Sequence, residues 1–407
     1  MPTLRPTMDL IATRAQRKAK RPPFQGPLHL TYATSMDPHD VRAWSGTVHF
    51  IAKSLEDQGV DMDYLGELQK GRVLLNKAIN RMWNWWSPGS IYPVERTIQL
   101  GQRFAEQIGE HLANSGSHVV FSPSSIPIAL LATDRPKAFY TDATFSGILE
   151  LYPEFRRYPR RYIEEGHYLE RQAIATSELC IYSSEWAANS AIKDYGASPD
   201  KVRVVPFGSN LDDHPSAKEV ERFAKARNER RIELLFLGVS WERKGGDLAV
   251  RTTELLNARG IPARLTVVGC EPPDDIPRDQ MEVHTFIAKR TPAGQRKLAS
   301  LIARSHFLLL PTRADCTPIV YSECNAFGVP CITTDVGGTS SPVKDGVNGF
   351  TLPLKADASK YADVIARTMR DRDAYLDLVR SSFAEHHGRL NWRTTGARLK
   401  ELLLGLV

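Results

Sequence analysis

The chain has 407 residues, 42% hydrophobic and 25% charged, with a formal net charge of +6. That is enough chain for two ordinary domains, in proportions typical of a globular protein. No apolar run nears the roughly 18 residues of a membrane span. The five cysteines include no Cys-x-x-Cys pair, which argues against a disulfide framework or a zinc site and suits a reducing cytoplasm. No basic and aromatic stripe marks a nucleic-acid surface.

Residues 1–25 carry Arg5, Arg14, Arg17, Lys18, Lys20 and Arg21 against one acid, Asp9, and run into Pro22-Pro23. They read as a flexible basic extension without the apolar core of a signal peptide. A solvated tail is the plainer meaning; loose attraction to an anionic membrane surface is the sharper one. "LHLTYAT" (28–34) then predicts a strand, and "SGTVHFIAKSLEDQG" (45–59) a helix entered through Gly46. "DMD" (61–63) resembles a metal-binding pair but follows a helix, so no metal is assigned to it. "NRMWNWWSPGSIYP" (80–93) places Trp83, Trp85 and Trp86 in a predicted loop. Such rings stack on acceptor sugars, rest at a membrane interface, or simply pack under a long loop.

"SHVVFSP" (117–123), "KAFYTD" (137–142) and "ELCIYSS" (178–184) predict further strands. After "VRVVPFGSN" (202–210) the polar stretch 212–230 reads as a linker. Beyond it, β-branched runs at 232–239, 263–270, 281–287, 306–311 and 330–336 alternate with helical patterns at 246–259, 293–304 and 318–327. That alternation predicts a parallel sheet with helices on both faces. The expected organisation is two Rossmann-like α/β domains, 26–208 and 231–388, joined through 209–230 and facing each other across a cleft. The final segment, 389–407, reads as a helix.

Such sheets bind ligands beyond the carboxyl ends of their strands. In "FLGVSWERKGGDLAV" (236–250), Arg243 and Lys244 stand just ahead of a predicted helix start, an arrangement suited to a diphosphate. In "RADCTPIVYSECNAFGVP" (313–330), Thr317 suits an N-cap and Pro318 the first helical position, which leaves the amides of Ile319 and Val320 free for phosphate. Asp315 precedes that helix. Glu323 lies about 9 Å along its axis. Two acids bracketing one glycosidic bond would converge about 5–9.5 Å apart. With a phosphate-binding helix end between them, these two read as grips on different parts of one elongated ligand. Cys316 and Cys324, without a nearby histidine, read as half-buried packing residues.

"PTRADCTPIVYSECNAFGVPCITTDVGG" (311–338), "GVSWERKGG" (238–246), "VVPFGSN" (204–210) and "WSGT" (44–47) together resemble the retaining family-four glycosyltransferases of the GT-B fold. The resemblance implies transfer of a hexosyl group from a nucleotide-diphosphate sugar to a saccharide, lipid-linked or small-molecule acceptor. It implies no cofactor and no metal, and a place in polysaccharide or glycoconjugate biosynthesis, in the cytoplasm or at a membrane surface. It places the donor ribose on Glu323, the donor sugar on Asp315, and the diphosphate on Lys244 and Arg243. Gly46 would let backbone approach the phosphate, Phe286-Ile287 would lie beside the base, and the last helix would cross back onto the first domain.

The chain departs from the family pattern at Val239 (usually Arg), Thr317-Pro318 (usually Phe-Gly), Ser341 (usually Glu) and Asp142 (usually His). Asp142 becomes the candidate contact to donor sugar or acceptor hydroxyl, or else a helix-capping or turn aspartate. The alternatives are a nucleotide-sugar epimerase or hydrolase, and a non-catalytic sugar-nucleotide-binding protein, which these departures motivate.

Overall fold

The computed structural model describes residues 26–71, 95–289 and 291–407. The basic extension and Trp83, Trp85 and Trp86 lie outside the described residues. The described residues form two wholly parallel six-stranded sheets. The first contains β1 (His29–Ala33), β2 (Asp61–Leu65), β3 (Val119–Ser122), β4 (Lys137–Thr141), β5 (Leu179–Tyr182) and β6 (Val202–Val204), in the order β2-β1-β3-β4-β5-β6. The second contains β7 (Ile232–Leu237), β8 (Ala263–Val268), β9 (Met281–His284), β10 (Phe307–Leu310), β11 (Cys331–Asp335) and β12 (Gly349–Pro353), in the order β12-β11-β10-β7-β8-β9.

The central strands read as continuous apolar runs because helices cover both faces: every residue of β7 and β10 is buried. The strand order of the second sheet reverses between β7 and β10, and such a reversal opens a crevice at the strand ends. β12 escaped the sequence reading. It is an edge strand with half-exposed residues, so it lacks the apolar signature of its neighbours.

The predicted linker is not all linker. Residues Ala217–Ala226 form a helix with a Ser216/Glu219 capping box, and Val220 and Ala224 are buried in the second core. Its polar face made the segment look solvated; two buried positions, four residues apart, anchor it. The chain crosses between domains a second time at Leu390–Asn391. Asn391 caps the helix Trp392–Leu404, whose Trp392, Leu399 and Leu403 share a core with Leu30, Val48 and Ile51 of the first domain. The two crossings touch: a Cβ on Gly208 would lie 2.4 Å from the Trp392 backbone nitrogen.

Asp63 of the "DMD" stretch lies on β2, where Thr31 and Ser115 donate to it and His111 bonds the same oxygen. It ties β1, β2 and the following helix together. Among the described residues no group of three or more His, Cys, Asp or Glu is placed to hold a metal ion.

Candidate active site

A cleft of about 770 Å³ lies between the two sheets, walled by loops that follow β1, β4, β7, β9 and β10. Of the residues singled out in the sequence, Asp142, Arg243, Lys244, Phe286, Ile287, Asp315, Thr317, Ile319, Val320 and Glu323 all line it. Gly46 does not, but its neighbours Ser45 and Thr47 do.

The loop after β7 makes one helical turn, Trp241–Lys244, and Gly245 then breaks it with φ of +76° before the helix Gly246–Ala258 begins. A Cβ at Gly245 would sit 2.1 Å from the Pro311 carbonyl oxygen, so only glycine allows this approach to the end of β10. The turn points both cations inward. Arg243 donates to the Ala314 carbonyl (2.9 Å), stands 5.8 Å over the Tyr152 ring, and lies 3.6 Å from the Asp315 carboxylate. Lys244 is buried and bonded directly to Asp315. Burial holds its ammonium below the usual lysine range; Asp315 pulls the other way, and Arg243 adds to the depression.

The loop after β10 corrects one expectation. The helix runs Ile319–Ala326 and its N-cap is Pro318, not Thr317. The Thr317 hydroxyl donates instead to the Cys316 carbonyl (2.7 Å) and accepts from Ser183 of the first domain (2.7 Å), so it is not available to cap the helix. The first-turn amides of Ile319 and Val320 have no intrahelical acceptor and lie at the cleft. Glu323 is the fifth helical residue and only 1% exposed. Lys289 Nζ meets its two oxygens at 3.1 and 3.2 Å. Lys289 escaped the sequence reading. Its position in a loop after a second-sheet strand was the one signal that could have found it.

Cys316 and Cys324 are buried rather than half-buried. Cys316 Sγ packs 3.6 Å from the Tyr152 hydroxyl. Two of the apolar cleft residues are open to solvent, Val239 at 81% and Phe286 at 80% exposure. Ser341 is not among the residues that line the cleft. Its hydroxyl accepts from the Glu185 amide at 2.9 Å, a contact between the domains.

On the facing wall, the Ser-Gly loop has three successive residues in the left-handed region: Trp44 (φ 48°), Ser45 (φ 57°) and Gly46 (φ 90°). Asp142 follows β4, and its carboxyl is pushed up to about 7, chiefly by burial and further by the Asp315 charge, with Arg96 opposing. Asp142 and Trp44 also border a recess of about 230 Å³ inside the first domain, together with Arg96, Lys70 and Ser124. Arg96 is held there by Glu170 (3.1 Å) and by the Phe145 ring at 4.8 Å.

Residues 231–371 match the family model described as "Glycosyl transferases group 1". D-inositol 3-phosphate glycosyltransferase of Saccharomonospora viridis is 27% identical over 246 residues, which span 57% of each chain. The match thus covers little more than half the length of that relative. Sucrose-phosphate synthase of Thermosynechococcus elongatus superposes with a TM-score of 0.66 over 93% of this chain and 98% of its own, at 15% identity. HepE of Anabaena, solved with UDP and glucose, does so at 0.58 over 92% and 98%, with 14% identity. The architecture is therefore that of the GT-B glycosyltransferases. The second domain is a group 1 glycosyltransferase domain.

Proposed function

We propose that the protein transfers a hexosyl group from a nucleotide-diphosphate sugar to an acceptor, with retention at the anomeric carbon. The observation that carries this reading is that Arg243, Lys244 and the Ile319–Val320 amides converge in one cleft, with buried Glu323 set behind them. The diphosphate fits the first group and the ribose hydroxyls fit Glu323. The base then lies toward Phe286 and Ile287, and the sugar toward Asp315 and Asp142. The bond from the anomeric carbon to the phosphate oxygen breaks while the acceptor oxygen bonds that carbon from the same face, and the acceptor proton passes to the departing phosphate. Arg243, Lys244 and the two amides stabilise the charge that develops there. They supply positive charge at the diphosphate without a metal.

The acceptor enters by the recess that Asp142 and Trp44 share with the cleft. Its small volume, and relatives named for D-inositol 3-phosphate, favour a compact hydroxylated acceptor over a long saccharide or a lipid-linked one. Five unpaired cysteines suit a cytoplasmic setting. No helix of the described residues is long and apolar enough to cross a membrane.

Calorimetric titration and turnover with UDP-, GDP- and ADP-sugars test the reading. Binding of one donor, and its transfer to a small polyol, is the expected result. If no donor binds, the reading fails. Free sugar or an epimer as the main product without acceptor would make the protein a hydrolase or epimerase, and binding without any transfer would make it non-catalytic.

A further inference from the structure

We propose that Asn210 is a positioning residue, whose side-chain amide holds the Ser45 loop against the cleft and fastens it to both segments that cross between the domains. Its readout in turnover rests on the transferase reading; its readout in loop protection does not.

Asn210 lies on the first crossing, after β6. Its Nδ2 donates to the Ser45 carbonyl at 2.8 Å, and its Oδ1 accepts from the Trp392 indole N–H at 2.8 Å. An indole only donates and a backbone carbonyl only accepts, so a flipped amide would lose both bonds. The orientation is set by chemistry. Trp392 opens the helix of the second crossing, and Gly208 already lets the two crossings touch there. One amide therefore joins three segments that are distant in the chain.

The segment it holds needs holding. Trp44 and Ser45 are non-glycine residues at φ 48° and 57°, a region such residues seldom occupy even singly. The Trp44 ring meets Phe207 of the same crossing edge-on, with centroids 5.6 Å apart. Ser45 is on the wall of the donor cleft, opposite the cations of the second domain. Phe207 and Trp392 are buried in the first-domain core, with Trp44 packed against it, so Asn210 fixes this wall to the ends of both crossings where they meet the first domain.

Asn210→Asp separates the two arms. It keeps the oxygen that accepts from Trp392 and sets an oxygen, in place of the N–H, against the Ser45 carbonyl. Nucleoside diphosphate affinity, which rests on Arg243, Lys244 and Glu323, is expected to stay within about threefold of wild type. Turnover is expected to fall about a hundredfold, the scale of a small misplacement of reacting groups. Hydrogen exchange is expected to quicken at the Ser45–Thr47 amides and not in the sheets. Trp392→Phe, which removes the other arm together with part of a buried ring, should show the same loop pattern more weakly, beside a general loss of stability from the lost packing. Wild-type turnover and loop protection in Asn210→Asp would overturn the proposal. So would parallel loss of turnover, nucleotide affinity and sheet protection, which is plain destabilisation. If the wild-type protein turns over no donor, quickened exchange confined to 45–47 still supports the joint, and unchanged exchange removes it.

Discussion

Lys244 and Asp315 are bonded to each other in the cleft, with Arg243 only 3.6 Å from the same carboxylate. The two cations assigned to the diphosphate are thus partly offset by the one acid assigned to the sugar. A diphosphate arriving there competes with Asp315 for Lys244.

Asp315→Asn is therefore expected to leave nucleoside diphosphate affinity unchanged, or to raise it by up to about tenfold, while turnover falls. The upper figure corresponds to one charge-assisted hydrogen bond no longer competing. Calorimetry with the diphosphate, beside steady-state rates with the whole donor, checks both halves. A fall in diphosphate affinity would show that Asp315 does not compete for the cations.

Glu323→Gln is expected to act on the nucleotide instead. Hydrogen bonds to a charged group are worth about 1.5–3 kcal/mol, so affinity should drop by roughly one to two powers of ten. Lys289→Ala leaves the buried carboxylate without its cation. Because that lysine is 49% exposed, the cost should fall between the ~0–1 kcal/mol of a surface pair and the ~3–5 kcal/mol of a buried one. Urea melts should show part of that loss recovered by saturating nucleotide, as ribose hydroxyls replace the missing donor. An equal loss with and without nucleotide would separate Glu323 from the ribose.

With the Asp142 carboxyl at about 7, transfer that needs it ionised should rise through that pH and then level off. Asp142→Asn should give a lower, flat profile. The same shift has a stability sign. Between about 4 and 7 the folded carboxyl keeps a proton that the unfolded one has lost, so rising pH costs stability across that window. Melting curves of the two proteins should accordingly diverge with pH, the asparagine variant gaining relative to wild type between about pH 4 and 7. Parallel curves would remove the assignment.

Gly245→Ala and Gly260→Ala form a matched pair, with φ of +76° and +74°. A Cβ at 260 meets nothing within 4 Å and should cost about 1 kcal/mol of conformational preference. At 245 it would overlap the Pro311 carbonyl and displace Lys244, so a loss of about 2–4 kcal/mol and weaker diphosphate binding are expected. Equal losses from denaturant melts would show that the close approach does not matter.

The sheets and their helices were legible in the chain because a strand buried on both faces must be apolar throughout, and an amphipathic helix must repeat its apolar positions. Both are local patterns. The helix at 217–226 and β12 were missed for the same reason: one shows mostly its polar face, the other is an edge. The stretches that bring Arg243, Lys244, Asp315 and Glu323 to the cleft were also legible, since strand-to-helix joints are marked by their own glycines and prolines.

What each of these residues bonds to was decided only by the tertiary structure. Lys244 meets Asp315 across 71 positions, Lys289 meets Glu323 across 34, and Asn210 meets Ser45 and Trp392 across 165 and 182. The Thr317 hydroxyl bonds Ser183, 134 positions away in the other domain, instead of capping its own helix. Local propensity places a side chain on an element and a face. Its partner depends on how the parallel strands order themselves and how the two sheets meet, and no short stretch of chain encodes that geometry.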